Sequence, residues 1–486
     1  MVFSDLFFIF VFLPLFMACY FLGYLIDKKW LAQAGQNRMT MRNAVLVAFS
    51  LIFYAWGELV YVFLMLVSVM VNYLVGLGID RQERHRKLML VIGLACNILI
   101  LGTFKYLGFF AQILADIGLA VGVPKIALPI GISFYTFQSI SYLIDVYRRQ
   151  VPVQKRFGDL LLYISMFPQL IAGPIVRYDL VARQITDRHV TAEDISEGIY
   201  RFLIGLGKKV ILANQFSELA DQFLGGGMEH LSTSGACVGI LAYTMQIFFD
   251  FSGYSDMAIG LGRCLGFHFP ENFRHPYCCD TITDFWRRWH ITLGSFFRDY
   301  VYIPMGGNRR HQALNILVVW FLTGMWHGAS WNFIIWGVYF GAIVTLEKYT
   351  LLKVKRHIPS LLLHVYSMLL VVIGWGIFYF DDFKRMTQFF DVLFAGAFSG
   401  KSTVLFDFTA ESAVMDNFWL WIAGVALCLP VYDAVSGSFH RLFKKDTTVK
   451  HTVVLATRFV VSVALLLLSV SLLVGATNNA FIYTRF

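Results

Sequence analysis

Apolar segments of about 17–25 residues, the length that crosses a bilayer as a helix, recur along the whole chain. The first, at 7–26, has no basic residue before it, so we expect a retained span rather than a cleaved signal. Further spans are predicted at 43–57, 60–79, 88–104, 159–176, 197–213, 236–250, 312–327, 331–347, 360–380, 417–433 and 453–475. Broken apolar stretches at 107–121, 128–146 and 257–269 are expected to be short, tilted, re-entrant or interfacial. The pattern predicts an all-α, polytopic membrane bundle with about ten to thirteen spans.

Composition supports a membrane protein and argues against other classes. Hydrophobic residues make up 58% of the 486 residues and charged residues only 15%, whereas a soluble domain carries about 25% charged residues. The net charge of +9 resides in short basic clusters between apolar runs, which favours contact with lipid headgroups over nucleic acid. The seven cysteines show no metal-binding spacing, so no metal site is predicted.

Two basic loops predict the orientation of the chain. Residues 28–42 and 81–87 are both rich in Lys and Arg and should be cytoplasmic, and two spans joined by a tight turn at 57–58 separate them. Two spans between these loops return the chain to the same side of the membrane, which agrees with both loops being cytoplasmic. Because one span precedes the first loop, the pattern predicts an extracytoplasmic N-terminus in a multi-pass protein.

Residues 284–300 carry the densest polar pattern within an apolar context. On one continuous helix, Arg287, His290, Gly294 and Arg298 would share a face opposite the aromatic residues. An interfacial helix whose arginines meet lipid phosphates is one interpretation. The other is that His290 faces a reactive cavity and that both arginines bind anionic groups of a donor.

A second histidine, His327, lies inside a long apolar stretch. Gly324 and Gly328 would permit close approach of a helix or a substrate, and Trp326 and Asn332 could line a polar, aromatic pocket. The alternative is a packed, hydrogen-bonded structural histidine.

Acidic residues in the same region need partners if they are buried. Asp250 and Asp256 flank Tyr254 in an apolar segment, and we expect them to pair with arginines, including those of residues 284–300. Together with Asp284 they are predicted to form a structural ion network rather than to act in catalysis.

Two histidines without a nucleophile motif indicate general-base chemistry. The sequence has no GxSxG, HExxH or P-loop motif. A histidine in an apolar cavity stays neutral and can take the proton of a hydroxyl that attacks an activated acyl carbonyl. No bound cofactor or metal is needed for such a transfer.

Five motifs together resemble the membrane-bound O-acyltransferases. They are LPIGISFYTFQ at 128–138, FPQLIAGP at 167–174, DFSGYSD at 250–256, DFWRRWH at 284–290 and MWHGASW at 325–331. More narrowly they resemble the bacterial branch that contains the alginate O-acetylation membrane subunit, peptidoglycan O-acetyltransferases and the teichoic-acid D-alanylation protein. The resemblance extends, with gaps, from the N-terminus to about residue 341.

The resemblance implies a ring of helices around a central tunnel that joins a cytoplasmic donor to an extracytoplasmic acceptor. It implies His327 as the principal catalytic residue and His290 as the second. Further candidates for donor or substrate binding are Arg287, Arg298, Trp326, Asn332, Tyr254 and Gln138. The donor would be acetyl-CoA or an acylated carrier protein, and a separate periplasmic SGNH-type transferase would complete the modification of a polysaccharide at the inner membrane.

The chain is expected to be one integral membrane domain, 1–486, with its core motifs at 128–341 and C-terminal helices at 348–486. Two other functions stay open. A transporter or flippase for a lipid-linked saccharide would also place charge near the membrane midplane, although no inverted repeat is evident. An acyltransferase that lipidates proteins would share the chemistry and differ in donor chain length.

Overall fold

The computed structural model describes residues 1–31, 39–171, 173–400, 403–431, 447–476 and 481. In this part of the chain the regular elements are all helices, and no strand is present. The α-helices are α1 Leu13–Ile26, α2 Thr40–Ala55, α3 Tyr61–Arg81, α4 Arg86–Leu101, α5 Leu107–Asp116, α6 Ile132–Tyr147, α7 Phe157–Ser165, α8 Phe167–Leu170, α9 Tyr178–Thr186, α10 Ala192–Gly207, α11 Asn214–Leu224, α12 Thr233–Cys264, α13 Ile282–Arg288, α14 Ile291–Phe297, α15 Gln312–His327, α16 Trp331–Tyr349, α17 Leu351–Val354, α18 Ser360–Tyr379, α19 Phe383–Leu393, α20 Phe408–Asp416, α21 Phe418–Cys428 and α22 Thr447–Gly475.

Six helical segments of the described residues are long and apolar enough to cross a membrane. They are Phe8–Lys29, Tyr61–Arg81, Glu83–Asp116, Thr233–Cys264, Ser360–Tyr379 and Thr452–Gly475. The protein is therefore an all-α, multi-pass membrane protein, as predicted. Other predicted spans form shorter continuous helices, such as α2 and α15 with 16 residues each, whereas residues 159–176 divide at Met166 into α7 and α8. Residues 432–433 of one predicted span and 32–38 of one basic loop lie outside the described residues.

The predicted continuous helix over 284–300 is wrong. The chain leaves α13 at Trp289, and His290 takes a left-handed backbone conformation with φ of 44° before α14 begins. The reason is non-local: the Arg274 N–H donates to the carbonyl of Arg288 at 2.9 Å, and the Ile291 N–H donates to the carbonyl of Asn272 at 3.0 Å. Backbone groups around the break are thus paired with a neighbouring loop instead of with a helix.

The described residues fall into two compact units. One comprises Met1–Leu203 and Tyr254–Pro270, and the other comprises Ile204–Gly253 and the chain from Glu271 onward. The first unit contains α1–α9 and most of α10, and its core is rich in Phe and Tyr. The second contains α11 and α13–α22, and α12 contributes to both units. All candidate catalytic histidines belong to the second unit.

Glycines let α15 and α16 pack against each other at backbone distance. A Cβ at Gly337 would lie inside the contact distance of the Trp320 carbonyl oxygen and 3.2 Å from the Cα of Gly324. A Cβ at Gly341 would lie 2.9 Å from the Cβ of Trp320. Small residues at such crossings are the means by which membrane helices gain van der Waals contact. This crossing sets the position of the end of α15, where His327 lies.

We expect Gly337→Ala to lower the free energy of unfolding by about 1–3 kcal/mol, because the added methyl group meets backbone that has no rotamer to change. Gly102→Ala is the matched control, since nothing lies within 4 Å of a Cβ at Gly102. That control should be neutral or slightly stabilising. Thermal unfolding of both variants in detergent measures the difference, and equal stability of the two would contradict the tight crossing.

Candidate active site

His290 lies at the break between α13 and α14, and its side chain is 2% exposed. Its Nδ1 is 3.0 Å from the side-chain oxygen Oδ1 of Asn272. The same oxygen accepts hydrogen bonds from the backbone N–H of Thr292 at 3.3 Å and from its hydroxyl at 2.9 Å. Asn272 therefore joins the histidine to the first turn of α14.

This arrangement determines the tautomer of His290. A backbone N–H can only donate, so the Asn272 atom that it contacts is the amide oxygen. The Nδ1 of His290, which contacts that same oxygen, must then carry the ring proton. The Nε2 lone pair is left as the reactive position, and Nε2 is buried with no hydrogen-bond partner among the described residues.

Burial keeps the ring of His290 neutral. Because desolvation disfavours the imidazolium, it lowers the pKa of His290 to about 3. His290, which lies outside the six candidate spans, is therefore uncharged throughout the physiological pH range.

His327 is the last residue of α15, and its side chain is 3% exposed. Gly328 follows in an extended conformation and contacts the ring of Phe333 so closely that a Cβ there would overlap it. The imidazole packs against three aromatic rings, with centroid distances of 4.8 Å to Trp326, 4.9 Å to Trp336 and 5.2 Å to Phe378. These contacts fix the ring at the end of the helix.

The structure brings the two histidines into the wall of one cavity. This cavity has a volume of about 170 Å³ and is lined by Trp286, Trp289, His290, Leu293, Gly294, Phe297, Val319, Trp320, Thr323 and His327. Trp326 packs against both histidines, because its ring centroid is 5.6 Å from that of His290 as well as 4.8 Å from that of His327. Two histidines in a small aromatic cavity suit proton transfer from a hydroxyl.

Comparisons with known proteins give the family. The profile of MBOAT, the membrane-bound O-acyltransferase family, matches residues 150–387. The chain is 39% identical over 406 residues to the probable alginate O-acetylase AlgI of Pseudomonas aeruginosa, a match that covers 81% of this chain and 75% of that protein. The chain belongs to the membrane-bound O-acyltransferase family.

Other relatives of this acyltransferase differ in what they modify. It is 36% identical over 417 residues to the peptidoglycan O-acetyltransferase of Helicobacter pylori, covering 78% of this chain and 77% of that protein. It is 30% identical over 249 residues to the teichoic acid D-alanyltransferase of Bacillus subtilis, covering 48% of this chain and 62% of that protein. The protein is an O-acyltransferase. Both histidines lie within residues 150–387, the part of the chain that the family model matches.

Four predicted donor-binding residues of the acyltransferase belong to the same unit as the cavity, but none of them lines it. Trp326 packs behind the histidines. The Asn332 amide donates to the Phe378 carbonyl at 3.3 Å, and its oxygen accepts from the Ser330 hydroxyl. Arg287 and Arg298 are exposed, and Arg298 pairs with Asp299 at 2.7 Å.

The remaining two predicted binding residues, Tyr254 and Gln138, belong to the other unit. Tyr254 stacks on Phe3 with ring centroids 4.7 Å apart. Gln138 is buried in α6, and its carbonyl accepts from the Ser141 hydroxyl at 2.8 Å. Neither lines the cavity that contains the histidines.

Each of the three carboxylates assigned to an ion network has a basic partner. Asp250 contacts Lys209 at 2.6 Å, and Asp256 contacts Arg201 at 2.9 Å. Asp284 contacts Arg288, an arginine of residues 284–300, at 3.0 Å. Arg201, the partner of Asp256, belongs to α10, and Lys209, the partner of Asp250, lies just after α10, so these two ion pairs are not the expected ones with residues 284–300. Within the described ranges, no group of three His, Cys, Asp or Glu side chains is arranged to hold a metal.

Sequence reasoning missed Asn272 and Glu347. Glu347, 1% exposed near the end of α16, accepts hydrogen bonds from the backbone N–H groups of Ile282 and Thr283, both at 2.7 Å. A carboxylate at a helix N-terminus accepts hydrogen bonds from backbone N–H groups that have no partner within the helix, and its negative charge interacts favourably with the helix dipole. The one available signal was that Glu347 is an acidic residue within an apolar segment.

The tautomer of His290 can be tested directly. In 15N-histidine-labelled protein we expect its nitrogen spectrum to report a proton on Nδ1, and a His290→Gln sample identifies the signals by their loss. Asn272→Leu removes the acceptor and should shift the proton toward Nε2, whereas Thr292→Val, which removes only the hydroxyl donor, should not. A wild-type ring protonated on Nε2 would contradict the geometry.

Proposed function

We propose that the protein transfers an acetyl group from a thioester donor on the cytoplasmic side toward a hydroxyl of a cell-envelope or exported polysaccharide. The observation that carries this proposal is the cavity of about 170 Å³ lined by both His290 and His327. Ligand pockets usually measure about 300–1,000 Å³. The space beside the histidines therefore suits a short acyl group better than a fatty-acyl chain.

In the proposed reaction His327 is the general base. It accepts the proton of the acceptor hydroxyl as that oxygen attacks the thioester carbonyl. The new C–O bond forms, the C–S bond breaks, and the departing thiolate takes up the proton that His327 received. Positioning of the two reactants and deprotonation of the hydroxyl are the contributions required of the site.

His290 assists by orientation rather than by taking the proton. A base works best when its pKa lies near the working pH, and burial lowers the pKa of His290 to about 3. With Nδ1–H held by Asn272, its Nε2 can accept a hydrogen bond from an N–H or O–H of the bound donor, but not from the hydroxyl whose proton His327 takes. That hydrogen bond would hold the acyl carbonyl within reach of the attacking oxygen.

The proposed acyl donor and partner protein rest on the resemblance to the bacterial O-acyltransferases and on the need for an activated acyl group. We propose acetyl-CoA or an acylated carrier protein as the donor, with Arg287 and Arg298 as exposed cations for its anionic groups. An extracytoplasmic SGNH-type transferase would then place the acyl group on the polysaccharide. The named relatives act on alginate, peptidoglycan and teichoic acid, which supports an envelope or exported polymer as the acceptor and the bacterial inner membrane as the location.

The first experiment measures release or transfer of label from radiolabelled acetyl-CoA by the protein in nanodiscs. We expect His327→Ala to lower the rate by about 10²–10⁴-fold, the usual contribution of general-base catalysis. His290→Ala should lower it less. His268→Ala is the matched control, because His268 is an exposed histidine outside the cavity, and it should keep wild-type turnover.

Membrane abundance and elution profile of each variant separate the catalytic role from a structural one. If His327→Ala protein is lost from the membrane, the histidine is structural. If wild type turns over neither acetyl-CoA nor an acetylated carrier protein, even with an extracytoplasmic transferase added, the result favours a transporter over an acyltransferase. Faster turnover of a long-chain acyl-CoA would favour a protein-lipidating enzyme.

Orientation can be measured with single cysteines. In a variant without native cysteines, Glu58→Cys lies in the turn between α2 and α3, and Gln82→Cys follows α3. An extracytoplasmic N-terminus predicts that an impermeant maleimide labels Glu58→Cys in intact cells and labels Gln82→Cys only after the cells are opened. The reverse pattern would invert the topology.

A further inference from the structure

The first unit contains a second, larger cavity, whose walls combine apolar and charged side chains. Its volume is about 740 Å³, within the usual range for ligand sites. Its acidic and basic lining residues are Asp27, Lys28, Arg42, Asp187 and Arg188, and His189 also lines it.

Arg188 is the most deeply buried cation of this cavity, with 3% of its surface exposed. Its donors contact the Tyr20 hydroxyl at 3.0 Å, the Leu265 carbonyl at 3.1 Å and the Gln184 carbonyl at 3.1 Å. The guanidinium also lies 4.6 Å from the centre of the Phe267 ring. All of these partners are neutral, and no carboxylate of the described residues forms an ion pair with Arg188.

The two carboxylates that line the cavity pair with residues other than Arg188. Asp27 pairs with Arg42 at 3.2 Å and accepts the backbone N–H groups of Met41 and Arg42 at 2.8 and 3.1 Å. The Asp187 side chain is largely exposed and lies 3.4 Å from that of His189. Asp27 and Asp159 interact electrostatically with Arg188, but neither forms an ion pair with it. A buried cation without a directly paired carboxylate is costly in a membrane protein, so the Arg188 guanidinium is suited to an external anion.

The apolar side chains of the cavity wall indicate that the anionic ligand also has an apolar part. Phe21, 58% exposed, projects from the candidate span Phe8–Lys29, and Ile195, 39% exposed, also lines the cavity. Exposed apolar side chains on a spanning helix contact acyl chains. Asp27 and Lys28, at the end of the same span, mark the level of the lipid headgroups.

We propose that this cavity binds one anionic phospholipid, whose phosphate is the counter-ion of Arg188 and whose acyl chain lies along Phe21 and Ile195. Basic pockets between membrane helices are the usual sites for such headgroups. This proposal concerns a site separate from the histidines and does not depend on the acyl-transfer chemistry.

The test is native mass spectrometry of protein incubated with equimolar phosphatidylglycerol and phosphatidylcholine in a neutral detergent. We expect wild type to retain one phosphatidylglycerol with a preference of about fivefold or more, the factor expected for one basic group beside a phosphate. Arg188→Gln should abolish that preference. Arg183→Gln is the matched control, because it removes the same charge from an exposed position of α9 that does not line the cavity.

Ile195→Glu keeps the proposal testable if Arg188→Gln does not fold. It leaves every hydrogen bond of Arg188 in place and adds a carboxylate to the cavity wall, so the preference should again be lost. Wild-type preference in either cavity variant would overturn the proposal. So would displacement of phosphatidylglycerol by equimolar inorganic phosphate, which would indicate a free-anion site, or by acetyl-CoA, which would indicate a donor site.

Discussion

The buried carboxylate of Glu347 binds the N-terminus of α13 to α16, and the geometry of the candidate active site depends on it. Its two oxygens accept the first backbone N–H groups of α13 and also the Thr283 hydroxyl at 2.6 Å. The other end of α13 leads directly to His290. Because α16 also crosses α15 through Gly337 and Gly324, one helix positions both histidines. A shift of α16 would therefore displace both sides of the cavity together.

The aromatic packing around this scaffold determines the electrostatics of the site. Trp286 contacts Trp320 and Trp336, with ring centroids 4.7 and 5.3 Å apart, and His327 contacts Trp336 in turn. Such a wall excludes water and lowers the local dielectric constant, so any charge that develops there interacts more strongly than in water. It also keeps His290 neutral. The same packing thus shapes a small cavity and selects the uncharged form of His290.

The sequence was informative where the determining interactions are local and uninformative where they are not. Residues 312–327 form α15 within the predicted bounds, and the small residues around His327 pack against a neighbouring helix as the pattern indicated. The break at His290 could not be predicted, because it depends on hydrogen bonds from residues 272–274, which carry no periodic signal. Asn272 was missed for the same reason. Glu347 was visible only as an acid in an apolar run, and its partners lie more than 60 positions away in the sequence.

Buried charges of the chain are compensated in more than one way. In the second unit Asp250 pairs with Lys209, and in the first unit Asp27 pairs with Arg42, so that these charges are neutralised by the chain itself. In the first unit Arg188 has neutral acceptors and an aromatic face, which satisfy its hydrogen bonds but not its charge. Hydrogen bonds alone do not offset the loss of solvation of a guanidinium. Arg188 differs from Asp250 and Asp27 in forming no ion pair, and it lines a cavity that also has exposed apolar side chains. This is the arrangement expected when the counter-ion comes from the membrane.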